Sequence, residues 1–396
     1  MAESIKDKVA VIGMGCCKFG DNWEQSSADM AVDAAYEAYE DAGVELKDIQ
    51  ACWKGSVNEG LGEPTAYTLK FDYIPVTRVE NSCVSGADAF RLACIGVASG
   101  MYDTVMAMGY EKLRDSGSGG TRWTPGGGGG PNSGLGMPSG GAVTAFARLA
   151  NKYMEKYGFS YEQFKPILAK IAAKNYYNGS LNPKASIQSA ITEEEIINAR
   201  MLASPLGLRD SALQSDGCAC AIITRADMAK KYRDDYILVK GIGMVVGARQ
   251  GALQAGYDMV HLEETIRAAQ QAYTQAGIKD PSKEIDLAEV TDSFTITELV
   301  SLEDLGLCPR GQAAKYIQEG KFNLNGDLPV NTDGGLLSFG HPIAASGIRM
   351  MYEVYKQLQG KAGKRQVKNP SLGLSHSFGL IPGSGVSSVT IFGKRD

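Results

Sequence analysis

Eight cysteines and three histidines are the side chains of this chain best suited to covalent or acid–base chemistry, and their settings separate them. Cys83 stands in N-S-C-V-S-G, Asn81 to Gly86. An extended run, Ile74 to Val79, precedes it, and from Gly86 to Ser99 small and apolar residues recur at helical spacing. The thiol is therefore expected close to a helix N-terminus, whose partial positive charge lowers a thiol pKa from about 8.5 and gives a nucleophile without a metal. Taken alone, the stretch fits a small buried hydrophobe equally well. Cys218 and Cys220 form a C-x-C inside the strand-like run Gly217 to Thr224, with no second cysteine pair or histidine nearby, so they read as core and not as a zinc site. The cysteines are scattered and no secretory leader precedes them, which predicts free thiols. His341 lies in S-F-G-H-P and His376 in L-S-H-S-F-G, whereas His261, in V-H-L-E-E before a helix, reads as a surface or capping residue.

The elements that must position these groups follow from length and periodicity. A chain of 396 residues suggests two domains of roughly 200 residues or one duplicated fold. Hydrophobic residues at 44% and charged residues at 21% fit a soluble globular protein, and a net charge of −5 leaves no footprint for nucleic acid or an anionic membrane. No apolar run reaches the length of a membrane span and Met1 to Lys8 is polar, so a cytoplasmic location is expected. Lys8 to Gly15 is a buried strand, but Lys18 stands where a dinucleotide fingerprint would need its third glycine. Ser27 is expected to cap a helix over Ala28 to Ala42 with Met30, Ala31, Ala34, Ala35 and Ala38 inward. Strands follow at Ala51 to Val57 and Thr104 to Gly109.

Asp115 to Gly141 is glycine-rich and nearly uncharged, with five consecutive glycines from Gly126; it reads as a flexible linker or as a loop ordered by a ligand or partner, and Trp123 and Met137, which interrupt it, favour the second. Helical periodicity returns over Ala142 to Tyr157, Tyr161 to Asn175 and Glu193 to Leu202, the last capped by Thr192 with Glu195 three residues on. Strands are expected at Gly217 to Thr224, Tyr236 to Val246, Ile285 to Val290, Ser371 to Phe378 and Gly385 to Phe392, and helices at Leu262 to Ala276, Ile296 to Leu305 and Ile343 to Leu358, with a long loop from Gly311 to Asp333. One order of strands and helices thus occurs twice. Cys83-x-x-Gly86 opens a helix carrying Arg91, and His341-Pro342 opens one carrying Arg349. Two copies of one α/β unit aiming these helix tips at a common centre would bring Cys83 and His341 together.

N-S-C-V-S-G, S-F-G-H-P-I-A-A-S-G at Ser338 to Gly347, and the runs N-P-K-A-S from Asn182, T-E-E-E, S-P-L and S-D-G-C-A-C at Ser215 to Cys220 resemble the thiolase superfamily over essentially the whole chain, nearest its sterol-carrier-protein-type branch. The resemblance implies an α/β thiolase fold of two duplicated βαβαβαββ halves in five αβαβα layers with an inserted loop domain. The expected boundaries are 1–110 with 207–232 for the N-terminal half, 111–206 for the loop domain and 233–396 for the C-terminal half. It implies an acyltransferase in which Cys83 attacks the 3-keto carbon of an acyl-CoA and passes the acyl group to coenzyme A, a cosubstrate and not a bound cofactor; no metal is expected. His341 would raise the thiolate fraction or donate to the thioester oxygen. An oxyanion pocket is expected around Cys83 and the turn Gly379 to Gly385.

Where the branch usually reads H-D-C-F, residues 291–294 read T-D-S-F, and no C-x-G follows Ser375. That leaves His376 as the second acid/base, against a structural role, with Thr291 or Ser293 holding a water. Relatives of this branch work with a small zinc-ribbon and OB-fold partner that binds coenzyme A, and such a partner is expected here alongside a homodimer or higher oligomer. Lys165, Lys170 and Lys174 share one helical region, a spacing that fits a solvated face. The preferred substrate is a 3-ketoacyl-CoA with an aromatic or branched acyl group, such as benzoylsuccinyl-CoA, in β-oxidation-type or anaerobic aromatic degradation. The alternatives are an acetoacetyl-CoA thiolase, a retro-aldol lyase on β-hydroxyacyl-CoA, against which the presence of Cys83 and His341 argues, and a catalytically silent scaffold.

Overall fold

Short apolar runs with helices between them become nine strands of one mixed sheet, together with the helices that cover it. The computed structural model describes residues 4–58, 62–116, 141–254 and 256–395, so most of the glycine-rich stretch, with Trp123 and Met137, lies outside the described residues. In chain order the main elements are β1 (Val9–Cys16), α1 (Ser27–Ala42), β2 (Cys52–Gly55), β3 (Val76–Val79), α2 (Ser85–Ala98), β4 (Thr104–Glu111), α3 (Gly141–Tyr157), α4 (Tyr161–Ser180), β5 (Gly217–Arg225), β6 (Ile237–Val246), α5 (Glu263–Ala276), β7 (Leu287–Val290), α6 (Thr295–Asp304), α7 (Ala345–Leu358), β8 (Leu372–Ile381) and β9 (Ser384–Gly393).

The strand order is β3-β2-β4-β5-β1-β6-β9-β8-β7. On one side of the β1–β6 seam, β2 runs parallel to β3 and β4, and β4, β5 and β1 are successively antiparallel. On the other side β7 runs parallel to β8, and β8, β9 and β6 are successively antiparallel. The same pairing pattern therefore runs outward from the seam in both directions, which is the duplication expected from the sequence. The seam itself is short: Ala10 opposes Leu238 and Val11 opposes Ile237. The two half-sheets are thus continuous with one another.

Glycines on the strands show which helix lies on which face, because each sits where a Cβ would strike a neighbour. A Cβ at Gly13 or Gly15 of β1 would collide with Ala38, Ala42 or Ala34 of α1, and one at Gly241 or Gly243 of β6 with the Ala272 or Ala268 carbonyl of α5. Gly55 and Gly109 instead face Ser85 of α2 and Ala344 before α7, and Gly373 of β8 faces Val354 of α7. Helices α1 and α5 are therefore the outer layers, and α2 and α7 lie together between the half-sheets, giving five layers. The tips of the middle helices touch: Gly86 has no room for a Cβ beside the Ala344 carbonyl, and Gly347 lies against Ala87.

Local signals hold with small shifts. Ser26, not Ser27, caps α1, because its hydroxyl accepts from the Asp29 N–H while Asp29 reaches back to the Ser26 N–H; the expected inward residues are all buried. Thr192 and Glu195 form the expected capping box, but that helix ends at Ile197, and Met201–Ala203 instead pairs with Leu206–Gly207 as a two-stranded ribbon. The expected loop from Gly311 to Asp333 contains a helix, Ala313–Gln318. Helices α3 and α4 come between β4 and β5, yet they pack on the second half: α3 against α6 and β8, α4 against α6 and the helices Ala313–Gln318 and Gly335–Phe339. The α4 lysines are not a solvated face. Lys165 pairs with Asp210 and Lys174 with Glu298 in the interior, and Lys170 alone of the three reaches solvent.

Candidate active site

Cys83 sits on the turn between β3 and α2. Ser82, at φ +51°, is held in the left-handed region by three local bonds: its N–H donates to Glu80 at 2.8 Å, its carbonyl accepts from the Ser85 hydroxyl at 2.6 Å, and the Ser85 hydroxyl accepts from the Asn81 N–H at 2.8 Å. Gly379 of β8 lies flush against the Cys83 backbone, and the thiol sulfur takes hydrogen bonds from the Leu380 and Cys83 amides, with the Ser82 hydroxyl 3.7 Å away. Leu380 is itself at φ +68°.

Burial pushes the Cys83 thiol above its ordinary pKa; the Ser82 hydroxyl and the two amides oppose this without overcoming it. The helix tip therefore does not deliver a resting thiolate, contrary to the sequence expectation, because desolvation outweighs the dipole. The amides and hydroxyl are instead aimed where negative charge develops on sulfur or on a bound oxygen.

His341 is the residue before Pro342 at the tip of α7, and the contact between Gly86 and Ala344 brings the two helix tips to one centre. Its N–H donates to the Leu213 carbonyl at 2.7 Å and its Nδ1 bonds the Ser346 hydroxyl at 2.8 Å. Some of its surface stays open while protein packs around the ring. That enclosure, with the Arg349 charge adding, lowers its pKa to about 4, so it is neutral near pH 7. In the tautomer that donates Nδ1–H to Ser346, Nε2 is a base able to take a proton. Asp292 positions this segment. Its carboxylate accepts from the Leu336 and Leu337 amides, at 2.6 and 3.2 Å, and so caps the short helix that leads into Gly340 and His341. Burial, then Glu298, raises its pKa to about 7.

The other expected site residues divide. On β8 the odd-numbered residues face α7 and Cys83 and the even-numbered ones face α5. His376 is even: it is fully buried, its Nε2 is 3.0 Å from the Thr265 hydroxyl of α5, and it points away from Cys83. This corrects its expected acid/base role. Thr291 is not free to hold a water, since its hydroxyl donates to the His376 carbonyl at 3.2 Å and accepts from the Phe378 N–H at 2.9 Å. Gly385 is no oxyanion donor: its N–H bonds Glu264 at 3.0 Å and its carbonyl bonds the Gly247 N–H. Gly379 does lie at Cys83, and Leu380 supplies the amide expected from the turn. Ser293 is half-buried, its carbonyl accepting from the Ala212 N–H at 2.9 Å. His261 is half-buried on Asp258 at 2.7 Å, as a capping residue would be. Sequence reasoning missed Asp292 and Ser346. The spacing of five from His341 to Ser346 was the available signal for the second.

His376 is neutral because burial lowers its pKa to about 3. The unfolded chain takes up a proton at this residue below its ordinary pKa of about 6.5 and the folded chain does not. Stability is therefore unaffected above that pH and falls as pH drops toward 3, by about 1.4 kcal/mol per unit. Asp292 and Asp304, both raised to about 7, slope the opposite way, losing stability as pH rises through 7. Whatever the net slope, His376→Gln should accordingly raise the urea midpoint at pH 4.5 relative to that at pH 6.5 by comparison with the parent, and parallel curves would refute it.

A cavity of about 780 Å³ adjoins the His341 segment, although neither Cys83 nor His341 lines it. Leu213 and Gly340, which bracket His341, form one wall, and Phe294, Leu208, Leu337 and Val143 form much of the rest, with Arg114 and Asp21 at its edge. Phe294 stacks on Phe146 of α3 at 4.7 Å between ring centroids. A second cavity of about 490 Å³, between α5 and the end of α6, is remote from Cys83. Among the described residues no His, Cys, Asp and Glu cluster is arranged to hold a metal, and no helix is long and apolar enough to cross a membrane. Cys218 and Cys220 are buried in β5, and all eight cysteines are free thiols.

Comparison with known proteins gives consistent matches. Residues 9–226 match the family model described as Thiolase, N-terminal domain, and residues 247–394 the one described as Thiolase C-terminal domain-like. The chain is 36% identical to acetyl-CoA acetyltransferase of Methanothermobacter thermautotrophicus, over 98% of this chain and 99% of that protein. It is 30% identical to sterol carrier protein 2 of Gallus gallus, over 99% of this chain and 72% of that protein. Among solved structures it superposes on one described as Ltp2-ChsH2(DUF35) aldolase with TM-score 0.84, covering 99% of each chain at 24% identity. A monomeric SCP2-thiolase like protein type 1 from Mycobacterium smegmatis gives TM-score 0.75 at 16% identity, over 98% of this chain and 78% of that one. At these identities the structural likenesses speak to the fold.

Proposed function

Because the chain belongs to the thiolase family of acyltransferases, we propose that it cleaves a 3-ketoacyl-CoA with coenzyme A through an acyl group carried on Cys83. The observation that carries this reading is the meeting of the α2 and α7 tips at Gly86 and Ala344, which supports assigning the Cys83 thiol, with the Leu380 amide on its sulfur, and the neutral His341 to one site. His341 takes the thiol proton as sulfur attacks the 3-keto carbon. Charge that develops on the keto oxygen is met by the Cys83 and Leu380 amides. The acyl-cysteine then forms as the bond between C2 and C3 breaks, and coenzyme A, entering as cosubstrate, lifts the acyl group off the sulfur. Ser293, beside Phe294 on the cavity, is retained as a water-positioning candidate.

The acyl group is proposed to be bulky, aromatic or branched, with benzoylsuccinyl-CoA as one candidate. The support is a largely apolar cavity far larger than a two-carbon acyl group fills, walled by Phe294, Leu208 and Leu213. Acetoacetyl-CoA is the second reading, favoured by the relatives named acetyl-CoA acetyltransferase. A retro-aldol lyase would have no use for an acylated Cys83, and a silent scaffold none for the amides aimed at it. A small zinc-ribbon and OB-fold partner belongs to the same proposal. It is supported by the burial of Lys165 and Lys174 in ion pairs, which takes two cations out of reach of coenzyme A phosphates. So do the division into halves 1–110 with 207–232 and 233–396 around the insertion 111–206, assembly as a homodimer or larger oligomer, and action in the cytoplasm.

The test is a thiolysis panel of acetoacetyl-CoA, straight-chain and aryl 3-ketoacyl-CoA esters, with intact-mass detection of acyl-Cys83. Bulky esters are expected to give the higher kcat/KM and a stable adduct when coenzyme A is withheld. Turnover without any adduct on Cys83 would exclude the mechanism, and preference for acetoacetyl-CoA would exclude the acyl class.

A further inference from the structure

The strand pair that closes the second half carries a row of hydroxyls on the face turned toward Cys83. Ser375 of β8 opposes Thr390 of β9, Ser377 opposes Ser388, and Ser375 also lies in register with Glu289 of β7. All five side chains are at most 2% exposed. The four hydroxyl oxygens have no hydrogen-bond partner among the described residues, and Oε2 of Glu289 has none beyond the neighbouring Asp333 carboxyl. Buried polar atoms are almost always paired, and four adjacent unpaired hydroxyls on one face call for a common partner. Facing them are Gly347 of α7 and Ala87 of α2; the Ser377 hydroxyl lies 3.1 Å from where a Cβ at Gly347 would be. So close an approach leaves no room for a side chain, and a hydrogen-bonding molecule small enough to serve unpaired hydroxyls beside it is water.

The row has two distinct ends. At one, Gly379 follows Ser377 on the same face and lies against Cys83. At the other, Glu289 accepts from the Thr332 N–H and hydroxyl through Oε1, both at 2.8 Å. Burial, with Asp333 and Glu353 nearby, holds its carboxyl well above the usual range despite the Arg349 charge. Residues two apart on a strand stand about 6–7 Å from one another, a span that one water between neighbouring hydroxyls bridges.

We propose that this face binds a file of ordered water molecules joining Glu289, through Ser375 and Ser377, to the Cys83 pocket, and that the file supplies the proton the departing carbon requires. The proposal rests on the thiolase reading. When the C2–C3 bond breaks, its electron pair remains on C2 as an enolate; a proton from the water beside Ser377 adds to C2, and Glu289 releases one at the far end. When the coenzyme A sulfur attacks the acyl-cysteine, its proton enters the file and restores Glu289. Cys83 leaves as thiolate and recovers the proton that His341 took at the start. Protons and electrons balance over the cycle, and no histidine is needed in the T-D-S-F segment.

Ser377→Ala and Glu289→Gln are assayed in the full chain together with the parent, and the parent is crystallised at a resolution that shows water. Turnover is expected to fall about tenfold or more in both variants, with the KM for coenzyme A and the melting temperature retained, and ordered waters are expected on the Ser375 and Ser377 hydroxyls. Ser377→Ala, which removes a single oxygen, carries the kinetic test if Glu289→Gln does not fold. Turnover close to the parent's in the folded variants, or hydroxyls bonded directly to protein atoms without water, would overturn the proposal. If the parent forms no acyl-Cys83, the thiolase reading has failed instead, while the crystallographic waters still decide whether the file exists.

Discussion

Cys83→Ala is expected to lower thiolysis by about a thousandfold or more, since it removes the atom that bonds to the acyl group. The change deletes one sulfur from a half-buried position, and the Ser85, Asn81 and Glu80 bonds that hold the turn use other atoms. Folding should therefore survive, and a loss of activity can be assigned to chemistry. Intact-mass spectra should show an acyl adduct on the parent and none on the variant. Unchanged turnover, alone or with a partner subunit, would make the chain a scaffold.

The second large effect is expected for His341→Asn, a fall in kcat of about a hundredfold to ten-thousandfold. The argument is one of proton affinities. The thiol is raised by burial while the imidazole is lowered to about 4, so the resting pair is neutral and the proton moves only as sulfur attacks. Two consequences can be measured. Alkylation of Cys83 by iodoacetamide near pH 7 should be slow in the parent for an active-site thiol and slower still in the variant. The acid limb of kcat/KM should have its midpoint near 4, because a base must be unprotonated to act and this one stays so until then. A midpoint near 6.5, or a variant with parental kcat, would remove His341 from the proton transfer.

Much of this arrangement was legible in the sequence because its causes are local. Apolar alternation gave the strands, and the capping pair Thr192 with Glu195 gave a helix start, while the cap of α1 fell on Ser26, one residue before the serine expected. The repeated order of elements, with glycine near each of two helix tips, gave the duplication and so the approach of the α2 and α7 tips at Gly86 and Ala344. What failed depended on phase or on distant partners. His376 looks like a catalytic histidine until the strand is phased from Gly373 and Gly379, which turns it toward α5. Lys165 and Lys174 look like a solvated stripe because Asp210 and Glu298, which bury them, lie 45 and more than 100 positions away. The expected fall in the Cys83 pKa failed for another reason: a dipole can be read from sequence, but the depth of desolvation that opposes it cannot.

The crossing of α3 and α4 onto the far half has a bearing on biosynthesis. Their apolar faces, including Phe146, Leu149, Tyr153, Phe164 and Ile171, are completed by α6 and the helices around residues 313–339. The ribosome makes those partners well over a hundred positions later. A nascent chain halted at the end of β5 would hold out two greasy helices with nothing to clasp, so this protein should lean on a chaperone until its second half emerges. Afterwards the two halves are interlocked like folded arms, and cutting the backbone near residue 232 should leave fragments that stay together.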